Sequence, residues 1–321
     1  MLKKVILITG SNGEIGHSLI NALNKKNIHN IIALDLEQPK DSFMIEKFIS
    51  GSILDKNLLS CINKEYEISS IYHLAAILST KAQKNPKLAN DVNINGTINL
   101  LELASLQSKI QNKKIPFFFP SSIAVYNTIK SEKIKINEYE YCENPITEYG
   151  KAKLKCENIS KKYKGVDFRC IRFPGIISGT SVPTGGTSDF APEMIHYAAQ
   201  NKEYNCFIDK DRKIPFIVMP DAINAIFKIM NIEEKNLNHL VYNITSFSPS
   251  VNDFYIKTKY FFSDFNMKYR IDNNRQNIID SWPDEIDDNN AKKDWGWSPE
   301  FNFEFAYTHY LFPKIKLKYT L

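Results

Sequence analysis

Apolar residues in this chain fall into short unbroken runs separated by stretches of helical spacing. Residues 5–9 (Val-Ile-Leu-Ile-Thr), 31–34 (Ile-Ile-Ala-Leu), 71–79 (Ile-Tyr-His-Leu-Ala-Ala-Ile-Leu-Ser) and 117–126 (Phe-Phe-Phe-Pro-Ser-Ser-Ile-Ala-Val-Tyr) show little polar alternation. Such runs predict strands covered on both faces, the condition of a parallel sheet between two helical layers. Residues 18–25 and 91–104 space their apolar side chains three and four apart and predict helices. Another helix is expected around Tyr149, after Asn144-Pro145, and 217–226 reads as a strand running into a helix. Strand and helix in alternation predict an α/β fold with a doubly wound parallel sheet. The less regular remainder is assigned to a small carboxyl-terminal lobe.

The first run ends in Gly10-Ser-Asn12-Gly13-Glu-Ile15-Gly16, and a helical pattern follows at once. Strand, glycine turn and helix together are the setting in which a backbone can approach a pyrophosphate at a helix N-terminus. The spacing is Gly-x-x-Gly-x-x-Gly, not the commoner Gly-x-Gly-x-x-Gly. The second run ends in Asp35, where a carboxylate reads a ribose 2′-hydroxyl and repels the extra phosphate of NADP. Leu36-Glu37 supply no Arg to welcome that phosphate, so the cofactor expected is NAD. A plain strand-end aspartate is the alternative reading of Asp35. Asp55, after Leu54, is a weaker candidate for an adenine amino group. Leu74, Ala75 and Ala76 are small enough to let a cofactor lie close, whereas His73, inside an apolar strand, is expected in the core.

Tyr149 and Lys153 stand four apart, so on a helix they share one face with Cβ atoms roughly 5–6 Å apart. A phenol titrates near pKa ~10, and a neighbouring ammonium is expected to bring it towards the range of a useful general base. Ser121 and Ser122 end a buried strand, where a hydroxyl points into the crevice in which open α/β sheets bind ligands. Residues 180–190 form a polar glycine loop, and a loop of that kind between packed elements is functional or mobile.

Composition narrows the field. A chain of 321 residues with 43% hydrophobic content supports one large domain or two joined ones. Five cysteines without a Cys-x-x-Cys pair indicate neither a disulfide framework nor a cysteine-rich zinc site, and a reducing, cytoplasmic setting fits. The basic amino terminus leads into an apolar run too short for a signal peptide or a membrane span. A formal charge of +5 without a basic stripe gives no reason to expect nucleic acid or membrane as a partner. Asp284, Glu285, Asp287 and Asp288 are expected in a solvated loop rather than at a metal.

Taken together, Gly10-x-x-Gly13-x-x-Gly16, Asp35, His73-Leu-Ala-Ala76, Ser122 before Tyr126, and Tyr149-x-x-x-Lys153 resemble the extended short-chain dehydrogenase/reductases. The second half resembles the short-chain L-threonine 3-dehydrogenases in 167–178, 185–191, Asp280-Ser-Trp-Pro283 and Asp294-Trp-Gly-Trp297. The resemblance spans nearly the whole chain. It implies an NAD-dependent oxidoreductase that converts L-threonine to 2-amino-3-oxobutanoate. Tyr149 would be the base, Lys153 would assist it and hold a ribose, and Ser122 would bond the reacting oxygen. The implied cofactor contacts further include Asn12, Ile15, Leu54, Asn93, Pro174 and Ile176. Ser79, Gly185, Thr187 and Trp282 are implied on the substrate side. An NAD-binding Rossmann domain would comprise 1–172 joined by 220–244, and a substrate lobe 173–219 and 245–321. A homodimer packing helices near 93–109 and 147–163 is implied as well. Thr184 stands where the family loop usually has a glycine, which narrows the conformations open to a hinge.

A nucleotide-sugar epimerase or dehydratase would share the fold, the NAD site and Ser122, Tyr149 and Lys153. It would also need Arg or Lys for a substrate diphosphate, and 179–191 contains none. A non-catalytic NAD-binding regulator has no need of the Tyr and Lys. Zinc-dependent dehydrogenation would require clustered Cys and His ligands that the chain lacks.

Overall fold

The computed structural model describes residues 2–39, 41–129 and 135–320. Seven strands form the main sheet: β1 (Lys3–Thr9), β2 (Ile31–Asp35), β3 (Lys47–Ser50), β4 (Tyr66–His73), β5 (Ile115–Ser122), β6 (Val166–Phe173) and β7 (Val241–Asn243). Their order is β7-β6-β5-β4-β1-β2-β3 and every pairing is parallel. The order reverses at β1, which opens a crevice beyond the carboxyl ends of β1 and β4. Register brings the ends level, since Thr9 pairs with both Leu34 and His73, and Ser122 with Phe173.

Alternate residues of the same apolar runs serve opposite layers. Val5 and Leu7 pack with Leu100, Leu101 and Leu103 of α3 (Gly96–Gln111) and with Leu59 of α2 (Lys56–Glu65). Ile8 and Phe118 face the other way, onto Leu19, Ile20 and Leu23 of α1 (Glu14–Lys25). Both faces are dry, which explains the missing polar alternation in these strands. Edge strand β3 is half exposed and carried no such signal.

A further core lies beyond the sheet's carboxyl end. Phe190 and Met194 of α5 (Phe190–Ala199) pack there with Phe216 and with Phe254 of a later helix, Val251–Phe261. Phe190, Phe216 and Phe254 meet edge to face, at centroid separations of 5.2–6.4 Å. Short parallel pairs tie this region together, Gly175–Ile177 with Phe216–Val218 and Tyr204–Cys206 with Met267–Tyr269. Among the described residues no helix is long and apolar enough to cross a membrane.

The acidic stretch 284–288 departs from the solvated loop expected of it. Asp288 is buried and accepts a hydrogen bond from the Trp297 indole Nε1 at 3.1 Å, with Lys292 at 2.7 Å. Asp284 pairs with Arg212, and Glu285–Ile286 form a strand against Lys135–Ile136. Packing of the Asp-Trp-Gly-Trp segment supplies partners that no local pattern reveals.

Candidate active site

A cavity of about 290 Å³ lies at the carboxyl ends of β1, β4, β5 and β6. Gly10, Gly13, Ile15, Gly16, Leu74, Ala76, Ser79, Ser122, Tyr149, Lys153, Pro174, Ile176, Thr187 and Trp282 all line it. These residues come from both halves of the chain.

Its floor is the glycine turn. Gly10 has φ 69°, and an added Cβ would fall 2.4 Å from the Ala75 backbone N, so neither the conformation nor the space admits a side chain. Ala75 therefore forms a backbone wall against Gly10 rather than part of the cavity lining. A Cβ on Gly16 would meet the Gly10 carbonyl at 2.3 Å, which seats α1 hard against the turn. Gly13 precedes α1, and no side chain caps that helix. The Ser11 hydroxyl and the Asn12 Oδ1 are buried without partners. Uncapped helix N–H groups beside the unpartnered Ser11 hydroxyl supply donors that fit the diphosphate of a dinucleotide, whereas the Asn12 Oδ1 is an acceptor and does not serve it.

Besides Ala75, the candidates Asn12, Asp35, Leu54, Asp55, Asn93 and Gly185 sit outside the cavity wall. The Asn12 backbone N–H and the Leu36 N–H both donate to the Asp35 carboxylate, fixing it at the end of β2. Asp55 caps α2, one oxygen accepting from the Asn57 and Leu58 N–H groups at 2.9 and 3.0 Å, and the neighbouring Leu54 N–H is held by the Ser52 hydroxyl. Asn93 is buried and clamps one residue, its amide accepting from Ile77 N at 2.7 Å and donating to Ile77 O at 2.9 Å. It sets the path of the chain between Ala76 and Ser79.

The catalytic candidates converge because of one small residue. Thr147 caps α4 (Glu148–Ser160) through the Gly150 N–H at 3.0 Å. A Cβ on Gly150 would stand 2.0 Å from the Ala124 carbonyl, so only glycine lets α4 press against the turn that follows Ser122. Lys153 is buried one turn further on; its Nζ donates to the Pro120 carbonyl at 2.7 Å and lies 5.5 Å from the Tyr149 ring centroid. Burial lowers the lysine to about 8. The same burial pushes the Tyr149 phenol up, so desolvation outweighs the lowering expected from the ammonium. His73 is a core residue between the Thr9 and Thr97 hydroxyls, each at 2.9 Å, and burial lowers it to about 3.

Loop 178–189 closes the outer side. The Thr187 and Ser79 hydroxyls lie 3.2 Å apart across the cavity mouth. Two residues missed as site elements shape this loop. Asp189 accepts from the Gly186 and Thr184 N–H groups at 2.6 and 3.1 Å, and Arg275 donates to the Gly186 carbonyl at 2.5 Å. Asp189 had a local signal, lying three residues after a glycine; Arg275 had none. The left-handed turn falls on Gly185, at φ 87°, and not on Thr184. The glycine lost at 184 therefore leaves no strain behind. Trp282 is buried with its indole N–H unpartnered.

The fold and cavity define a doubly wound dinucleotide-binding protein with a Ser-Tyr-Lys site at its sheet's carboxyl end. The sequence model of the NAD dependent epimerase/dehydratase family matches residues 6–245, and the chain belongs to that family. It is similar to the mitochondrial L-threonine 3-dehydrogenase of Bos taurus, 33% identical over 303 residues covering 92% of this chain and 79% of that one. A solved structure described as a monomeric L-threonine 3-dehydrogenase from a metagenome is 38% identical with a TM-score of 0.88, covering 98% of this chain and 99% of the other. An L-threonine dehydrogenase structure from Clostridium difficile is 32% identical with a TM-score of 0.89, covering 99% of each chain.

Proposed function

We propose that the protein oxidises the β-hydroxyl of L-threonine to 2-amino-3-oxobutanoate with NAD. The observation that carries this reading is the meeting of Ser122, Tyr149 and Lys153 with the Ser79–Thr187 pair in one small cavity. Similarity to L-threonine 3-dehydrogenases over nearly the whole chain supports it.

NAD supplies the hydride acceptor. Tyr149 removes the hydroxyl proton as the carbonyl forms, and Ser122 donates to the oxygen as negative charge develops on it. Lys153, lowered to about 8, is still cationic at neutral pH and favours the phenolate. Ser79, Thr187 and the unpartnered Trp282 indole N–H are donors suited to the amino-acid carboxylate. Asp35 and the glycine turn hold the adenosine and diphosphate ends, with 1–172 and 220–244 carrying the cofactor and 173–219 and 245–321 the substrate. The cysteines are free, in keeping with a cytoplasmic setting.

The test is formation of reduced dinucleotide from NAD by the purified protein, with L-threonine beside L-serine, L-allo-threonine and UDP-glucose, and NADP in place of NAD. Turnover with L-threonine and NAD is expected. Binding of NAD without oxidation of any amino acid would move the reading to a nucleotide-sugar enzyme.

A further inference from the structure

The two halves of loop 178–189 are held differently. The first half is tied to distant elements: the Ser181 hydroxyl donates to the Glu14 carboxylate, and Lys318 donates to the Thr180 carbonyl at 3.0 Å. The second half carries Thr187 and has fewer such ties. Among the described residues, hydrogen bonds from 184–187 to anything outside the loop run to Ser79 and Arg275. Ser79 meets the Thr187 hydroxyl. Arg275 donates from Nη2 to the Gly186 carbonyl at 2.5 Å, with the Gly185 carbonyl at 3.5 Å.

Arg275 stands on a fixed support. Its guanidinium lies 3.4 Å from the ring centroid of Phe207, a buried residue of the core beyond the sheet. It belongs to the helix Asn273–Asp280, whose start Asp272 caps by accepting from the Asn274 and Arg275 N–H groups at 2.9 and 3.2 Å. Gln276 in the same turn accepts from the Asp209 N–H at 2.8 Å. At the far end Arg212 donates to the Ile279 carbonyl and the Thr128 N–H to the Ser281 carbonyl, each at 2.9 Å, just before Trp282 joins the cavity wall.

Substrate removes the other tie. A hydroxyl has one proton to give. Once Ser79 and Thr187 both donate to a carboxylate, neither donates to the other, and the bond between them is lost. Arg275 is then the polar contact that keeps Gly186, and Thr187 beside it, at the cavity mouth. A guanidinium donor makes that contact charge-assisted and hence strong for its kind.

We propose that Arg275 is a positioning residue for the substrate: it clasps the Gly186 carbonyl and so holds Thr187 over the amino-acid end while the Ser79–Thr187 bond is given up. This rests on the L-threonine reading above and deepens it.

The experiment compares full-length wild type with Arg275→Ala and Arg275→Lys, each with and without Thr187→Val, by initial rates with NAD and L-threonine. Arg275→Ala should raise KM for L-threonine about tenfold or more. Its kcat should stay within about threefold of wild type, and NAD affinity, measured by calorimetry without amino acid, within about twofold. Arg275→Lys keeps a cationic donor and should recover part of the loss in KM. In the Thr187→Val background Arg275→Ala should cost less than about threefold, because the hydroxyl through which it acts is gone. Hydrogen exchange gives a readout independent of turnover: Arg275→Ala should speed exchange in 184–189 and leave 148–160 as in wild type. An unchanged KM, a lysine variant no better than alanine, the full cost retained beside Thr187→Val, or unchanged exchange in 184–189 would overturn the clasp. A wild type that binds NAD but leaves L-threonine unoxidised would overturn the substrate reading instead, with the exchange measurement still deciding the clasp.

Discussion

The Asp35 carboxylate accepts from the Asn12 backbone N–H at 2.8 Å, which locks the end of β2 to the glycine turn. Its other oxygen accepts from Leu36 N at 2.7 Å. A carboxylate fixed by two backbone donors cannot swing aside for a phosphate. Asp35→Ala should therefore raise NADP use relative to NAD by at least about tenfold, the equivalent of roughly 1.4 kcal/mol, read as the ratio of kcat/KM values. Unchanged discrimination would remove Asp35 as the ribose reader.

Tyr149→Phe deletes the phenol hydroxyl and keeps the ring that packs beside Lys153. Turnover should fall by about 10²–10⁴, with NAD affinity within a few-fold of wild type. A rate above about a tenth of wild type would speak against Tyr149 as base.

Two glycines separate steric from conformational need. Gly150→Ala places a Cβ 2.0 Å from a backbone carbonyl, so α4 must shift; stability should drop by roughly 3 kcal/mol and activity with it. Gly185→Ala meets nothing within 4 Å, and only its φ of 87° is at stake. The cost there should be about 1–2 kcal/mol, confined to the loop and visible in KM more than in urea unfolding. Thr184→Gly should change kcat by less than about twofold, because position 184 is not left-handed.

His73 bears on acid stability. Its folded pKa, about 3, is below the usual 6.5, so its contribution is complete above pH 6.5 and is lost progressively as pH falls towards 3. Each unit within that interval is worth about 1.4 kcal/mol. Urea midpoints between neutral and acid pH should fall less steeply in His73→Gln than in wild type. Parallel slopes would show that the buried imidazole is not linked to acid unfolding.

Association through α3 and α4 would bring lysines together. The outward face of α4 exposes Lys151 and Lys155, with Glu102, Leu106 and Lys109 on α3. A homodimer built on this face should strengthen as salt screens the like charges, measured as mass by light scattering at low and high ionic strength. A single-chain mass at both would remove that dimer.

The features legible in the chain before folding are those that depend on near neighbours. Unbroken apolar runs marked β1, β2, β4 and β5, because a strand buried on both faces needs apolar residues on both. The glycine turn and the Tyr149–Lys153 pair were legible because their geometry spans less than three turns of chain. Even Asp55 carried a local signal, that of a helix cap. Contacts between distant segments came from packing alone: Ser79 with Thr187, Arg275 with Gly186, Asp288 with Trp297, Glu14 with Ser181. It also decided the direction in which Tyr149 is shifted. Burial and partners of that kind are set by how whole layers pack, and a residue's own neighbours in sequence hold no record of which remote side chain will face it.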